Sequence, residues 1–226
     1  MKKFIKVLSI IFLFSFVICA CKNEEEPPIE EPPEKTESTE LKNIKTTEVR
    51  MFNGEFNDKT VVLKVNNDNT KQLYLQYSFE MYDKNKIKLY NKEVFVRVGK
   101  KDSAYVVAIQ DQEESSFESY SYSVTVLDDE LVDYDIIKYN IKSSYQDNGK
   151  TIIATLSNQG KRTTTAYGLL LFYKSNSLVA VKTATAYNLL PYQSESIEVD
   201  YPIIKINQRI SYDRIEFVVN EVSTEL

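Results

Sequence analysis

QLYLQYSFEMY, residues 72–82, decides the fold, because apolar and polar side chains alternate along it. In an extended chain successive side chains point to opposite faces, so this alternation predicts a strand with one face in a core. The face predicted to be buried carries Leu73, Leu75, Tyr77, Phe79 and Met81. The chain around this stretch is therefore expected to form sheets.

A related pattern recurs 91 residues further along the chain. Residues 60–67, TVVLKVNN, align without gaps with residues 151–158, TIIATLSN, and residues 82–85 align with residues 173–176. In the second copy of the repeat, the strand that corresponds to residues 72–82 is predicted to point Ala166, Gly168, Leu170 and Phe172 inward. A matched apolar pattern at a fixed offset indicates an internal duplication.

The remaining chain is predicted to form short strands, because runs of strand-forming residues are separated by residues typical of turns. Asp147-Asn148-Gly149-Lys150 lies between two strand-like stretches, as a hairpin turn does. Further strands are predicted at 46–52, 60–66, 103–110, 119–127, 135–145, 151–157, 177–184, 194–200 and 212–220. Regular short strands without an amphipathic helix predict an all-β fold: two tandem immunoglobulin-like β-sandwich domains, residues 44–129 and 130–226.

One short motif supports this fold. Phe79-Glu80-Met81-Tyr82-Asp83 resembles the motif of the FxLYD group, immunoglobulin-like modules of bacterial lipoproteins, with Met81 in place of Leu. The second unit, LLFYK at 170–174, lacks the first Phe and the Asp. The resemblance implies a fold and an extracytoplasmic location, and it implies no activity.

The first twenty residues have the features of a signal peptide. Lys2, Lys3 and Lys6 precede an apolar run from Val7 to Ala20, which is shorter than a membrane-spanning helix requires. The run ends in VICAC, residues 17–21, which resembles the bacterial lipobox. That resemblance implies cleavage between Ala20 and Cys21 and a lipid on the Cys21 thiol. An ordinary secretory signal or an uncleaved helix remain the alternatives.

Residues 21–43 are predicted to follow as the lipidated cysteine and a disordered, acidic tether. Residues 22–43 contain eight Glu and four Pro, too little apolar surface to offset the entropy of ordering. Proline and repulsion between like charges extend such a segment. We expect a spacer that lifts the sandwiches from the extracytoplasmic side of the cell membrane; a Pro-rich recognition motif is the alternative.

The composition argues against common catalytic chemistry. The chain has no His, its two Cys lie at positions 19 and 21, and Gly occurs only five times. Cysteine–histidine pairs, serine–histidine triads and glycine-rich phosphate loops are thereby excluded. Paired acids, such as Glu113-Glu114, are expected to be solvated loop charges. We predict a protein that is not an enzyme and needs no cofactor.

Two sets of residues are candidates for binding. An acidic run at the junction between the units offers carboxylates for Ca²⁺, although an ordinary charged linker is the favoured explanation. Its members are Asp128, Asp129, Glu130, Asp133 and Asp135. Tyr74 and Tyr82 are predicted on the outward face of their strand, where tyrosine makes good contact surface. Tyr120 and Tyr122 share a face with valines and are predicted to fill the core.

Function is expected to lie in binding. The net charge of −5 and the lack of a basic stretch after the leader argue against nucleic acid. A surface protein that contacts an envelope protein or glycan fits the predicted anchor, tether and tandem sandwiches. A solute-binding lipoprotein of a transporter, or an accessory subunit of an envelope complex, are the alternatives.

Overall fold

Fourteen strands dominate the described part of the chain and confirm the all-β prediction. The computed structural model describes residues 40–111, 114–127 and 133–224. The strands are β1 Ile44–Asn53, β2 Lys59–Asn67, β3 Leu73–Tyr82, β4 Lys88–Val98, β5 Ser103–Ile109, β6 Ser119–Leu127, β7 Ile141–Asp147, β8 Ile152–Asn158, β9 Thr164–Lys174, β10 Ser177–Leu189, β11 Ser194–Val199, β12 Ile203–Lys205, β13 Gln208–Arg209 and β14 Arg214–Ser223. The short helix α1, Tyr134–Tyr139, precedes β7, and single 3₁₀ turns lie at Leu41–Asn43 and Glu55–Asn57.

The first half of the fold consists of two antiparallel, three-stranded sheets. One has the strand order β1-β2-β5 and the other β4-β3-β6. The predicted inward side chains of β3 are all buried, which confirms the face inferred from the alternation. They pack against Val61, Leu63 and Val65 of β2, so that the core lies between the two sheets.

The second half repeats this arrangement. Its sheets have the orders β11-β8-β7 and β10-β9-β14, and a small β12-β13 ribbon is attached to them. The predicted inward residues of β9 are buried, and Gly168 leaves the space that the Phe217 ring fills. Residues 147–150 form the predicted turn between β7 and β8, with Gly149 at φ +81°.

Two buried asparagines show that the 91-residue offset is structural. The Asn67 side chain donates to the backbone carbonyls of Lys71 and Val98, and the Asn158 side chain donates to those of Arg162 and Leu189. Each pair of acceptors lies 91 residues apart. Each asparagine Oδ1 also accepts the backbone N–H two residues later, which fixes the loop that follows the strand. The duplicated sequence therefore builds the same buried polar network twice.

The two halves stack through one face of each. The outward side of β1-β2-β5 packs against the outward side of β10-β9-β14, and both belong to the compact unit of residues 37–226. Val62, Leu169 and Leu171 lie at this contact. The two middle sheets are therefore covered on both sides, which explains the continuous apolar runs VVL in β2 and LLLFY in β9.

The structure departs from the predicted strands at three places, the first of which is the unpredicted ribbon β12-β13 between the predicted strands 194–200 and 212–220. Strand β4 was not predicted, because polar residues interrupt its apolar positions. Residues 134–139 form α1 where a strand over 135–145 is predicted, since Tyr134 and Ile137 lie on one face of a single helical turn and are both buried.

Both ends of the predicted first domain fall close to the limits of the described chain. Its predicted end at 129 lies within residues 128–132, outside the described residues. Glu40 and the 3₁₀ turn after it contact the first half: the Glu40 carboxylate pairs with Lys71 at 3.1 Å, and its carbonyl accepts from Asn69. Residues 40–43, assigned above to the tether, therefore belong to the folded part. None of the described helices is long and apolar enough to cross a bilayer.

Candidate functional site

The seam between the two sheets is closed in the second half of the fold. There β7 lies beside β14, and two side chains of β7 donate to its backbone. The Ser143 hydroxyl donates to the carbonyl of Phe217 at 3.1 Å, and the Tyr145 hydroxyl donates to that of Ile215 at 3.2 Å. These bonds leave little space between the two edge strands.

The equivalent seam in the first half, between β1 and β6, is crossed by the hydrogen-bonded pair Glu48 and Tyr120 and is otherwise open. The pairing registers place Thr46 where the second half has Ser143, and Glu48 where it has Tyr145. Neither side chain bonds to the backbone of β6. A shallow groove that is wide open to solvent lies there instead, lined by Glu48, Met51 and the segment Glu118–Tyr122. Because Glu48 replaces the long ring of Tyr145, the seam remains accessible.

Aromatic rings form the floor of this groove. The Tyr120 and Tyr122 rings lie 6.5 Å apart, and both lie within 6 Å of the Phe79 ring. The Tyr122 ring is also 5.7 Å from that of Tyr77. Tyr122 nevertheless remains 39% exposed. A half-exposed aromatic supported by buried aromatics presents rigid apolar surface, which is the character of a binding site.

Hydrogen bonds hold the tyrosines of the groove in place. The Tyr77 hydroxyl lies 2.7 Å from that of Thr46, and burial raises the pKa of Tyr77 to about 12. The Tyr120 hydroxyl donates to the Glu48 carboxylate. Burial, and then the Glu48 carboxylate, raise the pKa of Tyr120 well above its ordinary value of 10.0. Both hydroxyls therefore stay protonated at neutral pH, and the rim carries the negative charge of Glu48.

The second rim of the groove is also acidic. Glu118 is exposed directly before β6, and its carboxylate lies 3.4 Å from the Lys59 ammonium. At this exposure the pair contributes little to stability and leaves the carboxylate open to other cations. The groove thus combines aromatic surface with two carboxylates.

Tyr74 and Tyr82 lie on the outward face of β3, as predicted, but the structure does not bring them together. Eight residues of extended chain, roughly 26 Å, separate them. Tyr74 lies against Phe95, with the Arg97 guanidinium 4.2 Å from its ring. Tyr82 donates to the Glu80 carboxylate at 2.5 Å. These partners occupy both tyrosines from within the fold.

The charges around Tyr82 form a local network on this face. The Lys88 ammonium lies 2.6 Å from the Glu80 carboxylate. Lys88, and then the Tyr82 hydroxyl, hold the pKa of Glu80 below its usual value. The outward face at this end of β3 is therefore a self-contained polar network.

The acidic residues proposed for Ca²⁺ are separately engaged where the structure describes them. An Asp133 oxygen lies 3.2 Å from the Arg162 guanidinium, and the Asp135 carboxylate accepts the backbone N–H of Lys100 at 2.8 Å. Residues 40–111, 114–127 and 133–224 contain no group of three His, Cys, Asp or Glu placed to hold a metal. Asp128, Asp129 and Glu130 lie outside the described residues, as do Ala20 and Cys21.

A smaller cavity of about 350 Å³ lies at one end of the second half, beside α1. Ile136, Ile137 and Tyr192 form its apolar wall, and Asn158 and Arg162 form part of its polar wall. The Asn158 amide is already bonded to backbone carbonyls, and Arg162 pairs with Asp133. Gln159 and Lys161 also line this cavity.

The alternation in the sequence indicated the face of Tyr120 and Tyr122 but not their exposure. The prediction placed both in the core, and they do point to the inward side of the sheet, opposite Met81 and Phe79. Their strand lies at the sheet edge, where no second strand covers it. The absence of charge from residues 119–127 was the signal that this strand is unusual.

Comparisons with known proteins identify no family. No family model and no curated protein matches the sequence. Among the solved structures that match is a red sea bream transglutaminase, at 10% identity and a TM-score of 0.26, covering 80% of this chain. The chain spans 31% of the length of that protein.

Proposed function

We propose that this chain is a membrane-anchored, extracytoplasmic binding protein without catalytic activity, and that its binding site is the open seam between β1 and β6. The carrying observation is the difference between the halves. In one half Tyr145 of β7 bonds to the β14 backbone and closes the seam, whereas in the other the Glu48–Tyr120 pair joins β1 to β6 and a groove lies beside that pair. An aromatic floor with exposed edge strands suits an extended peptide or a glycan chain.

The predicted anchor supports this location. The lipobox-like segment ending at Cys21 and the acidic residues after it would hold the sandwiches away from the membrane, where the groove faces other envelope components. The lack of histidine in the chain, and of cysteine after position 21, supports a binding role over a catalytic one.

A photoreactive phenylalanine analogue placed at position 122 tests the binding site in living cells. We expect irradiation to link the full-length chain to an envelope protein or glycan, identified by mass spectrometry. The control carries the analogue at position 187, because Tyr187 is also a strand tyrosine and is 68% exposed, on β10. The same products from both positions, or none from position 122, would contradict the proposal.

The anchor is tested separately by Cys21→Ser. This change removes the predicted lipid acceptor, so we expect the protein to leave the membrane fraction and to lose incorporation of a labelled fatty acid. Cys19→Ser is the matched control and should change neither. Equal behaviour of the two variants would refute the assignment of Cys21.

The end cavity beside α1 supports a second function, capture of a small solute. Its volume lies within the range of small-molecule sites. Thermal unfolding of the purified chain against a panel of sugars and amino acids tests this role. A rise of several degrees that Ile136→Lys abolishes would favour solute capture over the seam.

A further inference from the structure

The free edge of β6 is unlike the other sheet edges. Among the described strands, β6 pairs with β3 on one side only. Residues 119–127, SYSYSVTVL, contain neither a charged residue nor proline. Proteins usually protect exposed edges with one of these, because unpaired backbone groups attract another strand.

The other edges among the described strands of the four larger sheets are protected. Each of β1, β4, β7, β10, β11 and β14 carries at least one charged residue. Strand β5 carries none, but Asn220 caps its edge: its side chain accepts the Tyr105 N–H at 2.7 Å and donates to the Tyr105 carbonyl at 3.0 Å. Strand β6 has neither form of protection in the described part of the chain, where the 3₁₀ turn Leu41–Asn43 is in contact with it.

We propose that β6 pairs antiparallel with β6 of a second copy of this chain, with the two Ser123 residues opposite each other. This register places Tyr122 opposite Val124 and Tyr120 opposite Val126 on the inward face. Aromatic and β-branched residues are favourable cross-strand partners. On the outward face Ser121 lies opposite Thr125, a hydroxyl pair, and like charges do not meet anywhere along the strand.

The second copy also completes the groove. A two-fold axis through Ser123, perpendicular to the sheet, joins the two β4-β3-β6 sheets into one sheet of six strands. The inward faces of both copies then lie on the same side. The two seams merge into one cleft with Tyr120 and Tyr122 of each copy on its floor and a Glu48 on each wall. This inference rests on the proposed function only for the use of the cleft; the pairing stands on β6 alone.

Disulfide trapping tests the pairing in the full-length chain. Residues opposite each other in antiparallel strands have Cα atoms about 4.5–5.5 Å apart, within disulfide range. The native chain has no cysteine after position 21, so Ser123→Cys adds a single reporter. In membranes treated with a mild oxidant we expect at least tenfold more disulfide-linked homodimer from this variant than from the matched control, Ser196→Cys on the edge strand β11. The unsubstituted chain measures dimers formed through Cys19 or Cys21.

Charge variants test the register. Ser121 and Thr125 are exposed, so charged replacements leave the fold intact. Adding Ser121→Lys and Thr125→Lys to Ser123→Cys places like charges opposite each other, and we expect a tenfold loss of trapped dimer. Adding Ser121→Lys with Thr125→Glu places opposite charges there and should retain the dimer.

The results separate the two proposals. Equal trapping in Ser123→Cys and Ser196→Cys, or equal loss with both charge pairs, overturns β6 pairing. A disulfide-linked product containing a different protein overturns the second copy as the occupant. Neither result contradicts a binding partner that is crosslinked through position 122. Conversely, a failure to crosslink at position 122 would not contradict a homodimer trapped through Ser123→Cys.

Discussion

The two halves of this fold share the same buried polar network and differ in what covers their sheets. Asn67 and Asn158 make matching hydrogen bonds at the same offset, yet the halves close their seams differently. Tyr145 closes one seam by bonding to the neighbouring backbone, and Glu48 at the equivalent position bonds to the Tyr120 side chain and leaves a groove beside it. The comparison teaches that the buried network sets the fold, whereas single residues on the edges and outer faces decide which surfaces are free to bind.

The largest expected difference between the halves concerns their outer faces. Val62 is fully buried where the sheets stack, whereas its counterpart Ile153 lies on the outer face of the last sheet and is partly exposed. Val62→Asp should cost about 4 kcal/mol or more of unfolding free energy, because it buries a carboxylate in an apolar contact. Ile153→Asp should cost about 1 kcal/mol or less. Urea denaturation of the purified chain measures both, and equal costs would argue against the stacked arrangement.

The next effect should be shared by both halves. Asn67→Ala and Asn158→Ala each leave backbone groups without a partner in the interior, and each should cost about 2–4 kcal/mol. The same denaturation experiment compares them. A cost at one site and none at the other would break the equivalence of the two networks, even though their geometry matches.

The smallest effect concerns the seams. Tyr145→Phe removes the hydrogen bond to the Ile215 carbonyl and should cost about 1 kcal/mol. Tyr122→Phe is its control in the open seam, because the Tyr122 hydroxyl has no hydrogen bond within the described residues. We expect no measurable change in the unfolding midpoint for the control. A larger cost for Tyr122→Phe would show that the open seam is closed by the protein itself in solution.

Alternation and the internal repeat predicted most of the strands, because both depend on local spacing. The inward face of β3 follows directly from its side-chain period, and that of β9 follows from its alignment with β3 in the repeat. The continuous apolar runs of β2 and β9 contained the sign of stacking, but burial on both faces has no period and could not reveal which sheet covers which. Strand β4 and helix α1 depend on tertiary partners that lie far away in sequence, so their local patterns were misleading.

The candidate site was harder to predict than the fold. Tyr74 and Tyr82 have the right exposure pattern, but Arg97 and Glu80 engage them from neighbouring positions. Tyr122 follows the pattern of a core residue and becomes accessible only because β6 ends its sheet. Whether a strand lies at the edge of a sheet depends on the topology of the fold, and the spacing of apolar residues within the strand does not indicate it.

The stacking of the two halves has a consequence for self-assembly. Each half contributes a different face to the contact, so the contact is head-to-tail, and further copies added by the same operation would grow into a filament. The last sheet ends that growth: its outer face carries a hydroxyl ladder, with Ser157 2.7 Å from Ser194 and Thr155 3.0 Å from Ser196. Such a polar outer layer is the feature by which the terminal caps of repeat proteins disfavour the addition of further units.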